Sequence, residues 1–325
     1  MKVGIVTANV NVVGGVQIFT RDLEKLLSDR GHQVDVVGLD TTPENKDAKL
    51  PEASVGNHFN TLNEKENYDV VICNGEFGYS VDHPKAINVF HGNYLGYANA
   101  VSHLVPQETT DRRLAKVPIQ KASSEGKYVV SVSNFASRGL TESGIEVDQV
   151  IPLSVNTNLF YPEESKINAS SLALSRGRMY EKGFDILERL AKAGVPLRVF
   201  SDYPINLPNV DSQDFKDNES LGAEYNQANL FLNPSRFEGG GITTLEAMAC
   251  ACPVITTPTG YGVDIKKEIP EFVVDKVDDI SEFQERIETI TNNRKAYGRK
   301  ARSYFFDHHH PKAFKKAWIS LVENL

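Results

Sequence analysis

Short apolar runs rich in Val, Ile and Phe alternate with amphipathic stretches along the chain, a rhythm that predicts strands separated by helices. A first series covers Lys2 to Thr7, Gln33 to Gly38, Asp69 to Cys73, Ala86 to Phe90 and Tyr128 to Val132. A second covers Ser171 to Ser175, Pro196 to Ser201, Asn229 to Leu232, Pro253 to Thr256 and Phe272 to Val274. Strands separated by helices of this length imply parallel βαβ units, and two series imply two Rossmann-like halves. Between them Ile151-Pro-Leu-Ser-Val-Asn-Thr-Asn-Leu-Phe-Tyr-Pro162 lacks a clear period and is bounded by prolines, as expected of a linker. No short internal repeat or low-complexity segment interrupts the pattern.

Composition bounds the function. The 325 residues are enough for two independent cores, and 40% hydrophobic with 24% charged content is ordinary for a soluble globular protein. No apolar run approaches the roughly 18 residues needed to span a bilayer. Met1-Lys-Val-Gly-Ile-Val-Thr7 reads as a first core strand rather than a cleaved leader, so a cytoplasmic protein is expected. Cys73, Cys250 and Cys252 sit in apolar surroundings and are expected to be reduced and buried, and Cys250-x-Cys252 lacks zinc-knuckle spacing and partner ligands. The net charge of −8 argues against a general nucleic-acid binder. Basic residues nevertheless cluster between Arg294 and Trp318: Arg294, Lys295, Arg299, Lys300, Arg302, Lys312, Lys315 and Lys316, opposed only by Asp307. This segment reads as a solvated helix face, with a peripheral contact at the inner face of a membrane, or an anionic acceptor, as the alternative.

The stretch Asn233-Pro-Ser-Arg-Phe-Glu-Gly-Gly-Gly-Ile-Thr-Thr-Leu-Glu-Ala-Met248 is the richest in chemistry. Pro234 ends a strand, and Thr243 to Cys250 has helical composition, so three glycines precede a helix. Glycines there let backbone amides approach phosphate or sugar oxygens where the helix dipole favours negative charge. Glu238 would lie in the loop and Glu246 about one turn into the helix, placed to accept bonds from the hydroxyls of one elongated ligand. The plainer alternative is a glycine-rich turn followed by a helix with a solvated Glu. Gly14-Gly15, between the first strand and an amphipathic helix, is a weaker signal of the same kind and is not the Gly-x-Gly-x-x-Gly of dinucleotide binders. His308-His-His-Pro311 tempts a metal reading, but adjacent side chains diverge, and a polar turn is expected instead. No Asp-x-Asp occurs, so no metal site is expected.

Glu238-x7-Glu246 followed by Ala-Met-Ala-Cys and a Pro-Val-Ile strand resembles the donor-binding segment of the retaining glycosyltransferases of family 4, glycosyl transferases group 1. That resemblance implies the α/β GT-B fold, two Rossmann-like domains with parallel sheets facing a central cleft. It implies that Glu238 contacts the transferred sugar and Glu246 the nucleotide ribose, with Gly239, Gly240, Gly241, Ile242 and Thr243 lining the donor. The family commonly has Glu-Gly-Phe-Gly where this chain has Glu238-Gly-Gly-Gly241. Gly14-Gly15 and the following Arg30-Gly-His-Gln-Val-Asp-Val36 are similar to the family's opening, whose glycine loop faces diphosphate and acceptor. Ser175-Arg-Gly-Arg-Met-Tyr-Glu-Lys-Gly183 is similar to its Gly-Arg…Glu-Lys-Gly segment, implying Arg178 and Lys182 on the diphosphate. The spacing is one residue shorter than the commonest form, which makes Arg176 a substitute. His91, in Asn88-Val-Phe-His-Gly-Asn93, matches a histidine that lies beneath the sugar, and Ser133-Asn134-Phe135 resembles a Val-Ser-x segment of less defined role.

The expectation is a retaining, metal-independent hexosyltransferase that takes its sugar from a nucleoside diphosphate, UDP favoured over GDP, without a cofactor. The acceptor would be a hydroxyl of a glycan, a lipid-linked or a small molecule. His91, Glu238, Arg178 and Lys182 would be catalytic. An acceptor-side domain would span 1–153 with the helix 312–325 packing back on it, and a donor domain 154–311. The variable stretches from about 40 to 67 and 101 to 127 would carry the acceptor loops. The alternatives are a catalytically silent GT-B partner subunit, or a GT-B nucleotide-sugar epimerase or phosphorylase.

Overall fold

The computed structural model describes residues 1–11, 14–43, 49–175, 177, 179–215 and 218–325, with backbone alone at 218 and 219. The chain divides into two compact units. The first comprises Met1–Asn99, Gln107–Leu153 and Lys312–Leu325, the second Ala100–Pro106 and Ser154–Pro311.

The first unit is built on a six-stranded sheet of β1 (Lys2–Val6), β2 (Gln33–Val37), β3 (Val70–Asn74), β4 (Ala86–Phe90), β5 (Tyr128–Ser131) and β6 (Gln149–Val150), in the order β2-β1-β3-β4-β5-β6. Every pairing is parallel, with Ile5 registered on Val36 on one side and Ile72 on the other. Parallel sheets are covered on both faces, so their central strands need continuous rather than alternating apolar character. Every residue of β3 and β4 is buried accordingly. The helix Gly15–Asp29 follows β1 and buries Phe19, Leu23, Leu26 and Leu27.

The helix Pro311–Asn324 closes this unit. It buries Trp318 and Val322, sets Phe314 and Trp318 against Phe19, and places Glu323 2.9 Å from Arg30 and 3.3 Å from His32. Full burial of a Trp removes about 150–250 Å² of apolar surface, or ~4–6 kcal/mol.

The second unit has a five-stranded parallel sheet of β7 (Ser171–Ser175), β8 (Leu197–Ser201), β9 (Val210–Asp214), β10 (Phe231–Asn233) and β11 (Val254–Thr256), in the order β11-β10-β7-β8-β9. The order turns back at the β7–β10 pair. Loops leaving the carboxyl ends of such a pair diverge to opposite faces, and ligands of open α/β sheets bind in the crevice they leave. The loops after Ser175 and Asn233 are these two.

Three expectations change. Phe272–Val274 is not a strand: Pro270–Phe272 forms a 3₁₀ turn, for which proline at the first position is suited, and only Val273 bridges to Thr256. Val210–Asp214 is an edge strand that the apolar pattern misses, because its sequence Val-Asp-Ser-Gln-Asp is mostly polar and none of it is fully buried. The segment after Val150 is more than a linker, since Ile151, Leu153, Val155 and Phe160 are all buried.

The basic segment is not simply a solvated face either. In the helix Arg294–His308, Arg294 donates to the carbonyls of Ala228 and Asn229 at 2.9–3.1 Å, and Arg302 donates to that of Ala249 at 2.5 Å. Guanidinium groups thus satisfy carbonyls left open at two helix ends. Of the triple histidine, His308 ends that helix 2.8 Å from Glu268, whereas His309 is buried with its ring edge-on to Tyr261. Burial pushes the thiols of Cys73 and Cys252 up to about 12 and that of Cys250 higher still. Among the described residues no helix is long and apolar enough to cross a membrane.

Candidate functional site

In the second unit the loops after β7 and β10 are pressed together. Gly183 has φ +71, and a Cβ there would lie 2.1 Å from the carbonyl oxygen of Pro234, so only glycine permits this approach. The loops are also stapled by Arg236, whose side chain is 5% exposed. Its guanidinium donates both arms to Asp185 at 2.7 Å, one of them also to the Tyr180 carbonyl at 2.8 Å and the other to Asp278 at 2.5 Å. A forked pair of this kind fixes orientation as well as distance. The backbone amide of Arg236 donates to the Glu181 carbonyl at 2.8 Å.

Held in this way, the turn Tyr180–Lys182 delivers Lys182 to the loop after β10. Lys182 Nζ lies 2.8 Å from Glu238 Oε1. Ser235 Oγ lies 2.8 Å from the same oxygen and 2.7 Å from Asn233 Oδ1, with one proton to share between them. The Glu238 amide donates to Thr259 Oγ1 at 2.8 Å, which anchors the backbone under the carboxylate. Glu238 is thus fixed from both ends while its side chain keeps 17% exposure.

Buried Gly239 and Gly240 lead to Gly241, which takes φ +97 and starts the helix Ile242–Ala249 with no side-chain cap and no acidic residue in its first turn. The first amides of a helix have no intrahelical acceptor, and a bare N-terminus of this kind is complementary to an anion. Ile242 and Thr243 are half-buried, and Thr244 is turned inward to accept from Asn233 at 3.1 Å. One turn on, Glu246 is 2% exposed, and its Oε2 accepts from the hydroxyl of Tyr225 at 3.1 Å. Burial, with Glu246 beside it, pushes the Tyr225 hydroxyl pKa well up, so it stays a donor. The Tyr225 hydroxyl thus orients one oxygen of Glu246. Arg176 and Arg178 lie outside the described residues. Gly177 between them is described: its amide donates to Asp202 at 2.8 Å.

The remaining candidates belong to the first unit. Gly14 is extended and precedes the helix Gly15–Asp29, again without a side-chain cap or an acidic first turn. Asp40 accepts from the amides of Val10 and Asn11 at 2.8 Å each, tethering the start of the same loop. His91 follows β4, and its Nε2 lies 3.1 Å from Asn74 Oδ1 at the end of β3. The ring packs edge-on against Phe19 at 4.8 Å, and burial pushes its pKa down to about 4.

Sequence reasoning singles out Lys182, Glu238 and Glu246, and the structure brings the first two into contact. It does not find Ser235, Thr259, Tyr225, Asp185 or Arg236, although Ser235 and Arg236 lie inside the motif. The signal for Arg236 was its place between Pro234 and an apolar Phe237, where a charge is out of keeping unless it is paired.

Residues 194–293 match the family described as Glycosyl transferases group 1. A curated relative, the MMP α-(1→4)-mannosyltransferase of Mycolicibacterium hassiacum, is 28% identical over 150 residues, 39% of this chain and 36% of the relative. The chain therefore matches about a third of that relative's length. Among solved structures, sucrose-phosphate synthase from Thermosynechococcus elongatus superposes with a TM-score of 0.82 at 18% identity, covering 99% of this chain and 98% of that one. Anabaena HepE in complex with UDP and glucose gives 0.73 at 15% identity, with 100% of both chains covered. The fold is GT-B.

Proposed function

We propose, on the premise that this chain carries a group 1 glycosyltransferase segment in a GT-B fold, that it is a retaining glycosyltransferase. It would move a hexose-like sugar from a nucleoside diphosphate to an acceptor hydroxyl. The observation that carries the reading is the joining of Lys182 and Glu238 over a glycine loop whose helix has an uncapped N-terminus, at the strand reversal of the second sheet. A cation, a helix N-terminus and two carboxylates match the charge pattern of a sugar diphosphate: anionic in the middle, hydroxyl-bearing at both ends.

In the reaction the bond from the anomeric carbon to the β-phosphate oxygen breaks, and the electron pair leaves on the diphosphate. The acceptor oxygen bonds to that carbon from the same face and passes its proton to the leaving phosphate oxygen. Lys182, with Arg178 or Arg176, and the amides of Ile242 and Thr243 stabilise the charge growing on the diphosphate. Glu238 positions the sugar, Glu246 holds the ribose, and His91 is assigned to the sugar. Gly14 and Gly15 admit the diphosphate and acceptor closely to the backbone. UDP is the nucleotide favoured over GDP, supported by its presence in the HepE structure. No divalent metal is assigned a role.

The test is titration calorimetry with UDP, GDP and ADP in the presence of chelator, followed by NMR of the product anomer with the donor that binds. A micromolar nucleoside diphosphate and a product of unchanged anomeric configuration are expected. Inversion would remove the retaining assignment, loss of activity in chelator restored by magnesium would remove the metal-free one, and absence of binding by all three nucleotides would overturn the reading.

A further inference from the structure

We propose that Asn74 is a positioning residue which, oriented by Thr20, holds His91 in the Nε2–H tautomer and so makes Nδ1 a dedicated acceptor for a hydroxyl of the bound sugar. The sugar contact rests on the function proposed above, while the tautomer rests on the first unit alone.

The number of available protons fixes the direction of each bond in this chain. Thr20, in the helix Gly15–Asp29, donates its single hydroxyl proton to the Val16 carbonyl at 2.8 Å, the back-bond that hydroxyl residues make within helices. Toward Asn74, 3.1 Å away, Thr20 can then only accept. The amide nitrogen of Asn74 must face Thr20, and its oxygen must therefore face His91. A carbonyl oxygen 3.1 Å from Nε2 requires the proton on that nitrogen. Thr20 and Asn74 are each 4% exposed, so water does not readily substitute for any member of the chain.

The reversed arrangement turns the amide over, points the Thr20 proton at it and moves the ring proton to Nδ1. It sacrifices the Thr20–Val16 bond, and one neutral hydrogen bond favours the observed arrangement by roughly five-fold. Phe19, itself wedged against Trp318 at 5.6 Å, keeps the imidazole plane from rotating out of register. Burial, with no charged partner contributing, keeps the ring neutral near pH 7, so its second nitrogen carries a lone pair and no proton. A neutral acceptor under the sugar binds a hydroxyl without adding a positive charge beside an anomeric carbon that is itself becoming positive.

Long-range proton–nitrogen correlation of uniformly labelled full-length protein at pH 7 tests this directly. The His91 signals, assigned by their absence in His91→Gln, should show the Nε2–H pattern. Thr20→Val, which removes the hydroxyl at nearly constant shape, should release the amide and give a mixture of tautomers. Asn74→Asp should keep the Nε2–H tautomer but raise the ring pKa, moving the acidic limb of the transfer pH profile upward. An Nδ1–H or cationic ring in the unmodified protein, or a Thr20→Val spectrum identical to it, overturns the proposal. The unmodified spectrum decides the tautomer even if a variant fails to fold. Should the Nε2–H pattern hold while His91→Gln transfers sugar at an undiminished rate, the relay stands and the assignment of His91 to the sugar falls.

Discussion

Lys182 and Glu238, expected to touch different parts of a donor, are bonded to each other at 2.8 Å. In the proposed function a diphosphate arriving at Lys182 would compete with a carboxylate already there. Part of the attraction between ligand and lysine would be offset by loosening this pair, and Glu238 would be freed to take sugar hydroxyls.

The two charges should therefore respond oppositely to removal. Lys182→Ala is expected to weaken free nucleoside diphosphate by roughly 10- to 150-fold, the value of a charge-assisted contact of about 1.5–3 kcal/mol. Glu238→Gln should leave that affinity equal or tighter while lowering turnover. Calorimetry on the two variants checks this, and weaker nucleotide binding in Glu238→Gln would contradict it. Arg176→Ala and Arg178→Ala, measured separately, show which arginine shares the load.

Glu246 and Tyr225 should act together on donor affinity. If Glu246 holds the ribose in ground and transition states alike, Glu246→Gln raises the donor KM with little change in kcat. Tyr225→Phe removes a bond to a charged group, about 1.5–3 kcal/mol, and should raise KM in the same sense but less. A fall in kcat alone, in steady-state assays of both variants, would remove the ribose assignment.

Arg236 should matter to stability first. Removing one partner of a buried ion pair costs about 3–5 kcal/mol. At ~2–4 °C per kcal/mol, Arg236→Ala should lower Tm by roughly 10 °C in calorimetry. Arg236→Lys restores the charge but not the fork on Asp185, so recovery should be partial. A Tm unchanged in the alanine variant would show that the glycine contact alone holds the loops.

His91 gives a pH dependence with a definite sign. Its folded-state pKa is about 4, below the ordinary value of 6.5. Above pH 6.5 the ring is neutral in folded and unfolded chains and contributes nothing. Between 6.5 and 4 the unfolded chain binds the proton and the folded one does not, so stability falls with pH through this window and the loss levels off below it. The drop in urea midpoint from pH 7 to pH 5 should be smaller in His91→Gln than in the unmodified protein. An equal or larger drop would contradict the low pKa.

Sequence patterning carries far in a fold of this type because strands buried on both faces must be apolar throughout, as β3 and β4 are. It fails where that requirement lapses. Val210–Asp214 holds its place by pairing with β8 although none of its residues is buried, and Phe272–Val274 is apolar because it is buried, although only Val273 makes a strand-like bridge. At the candidate site, Glu238, Glu246 and Lys182 stand out because charges near glycine-rich turns have few structural uses. Arg236 and Asp185 are 51 positions apart, and Asn74 and Thr20 are 54 apart. Pairing over such separations is set by packing, and no local period records it.

The aromatic contact between Phe19 and Trp318 sets a timetable for biosynthesis. At about 5–20 residues per second, a ribosome delivers Trp318 roughly 15–60 s after Phe19. During that interval the first sheet is fully translated, yet the face of its first helix that awaits Trp318 stays open to water or to a chaperone. A nonsense codon or proteolytic cut just before the last helix would spare every strand and every carboxylate of the proposed donor site. It would still strip the support behind His91, so damage at the far end of the chain should register as a defect in its first unit.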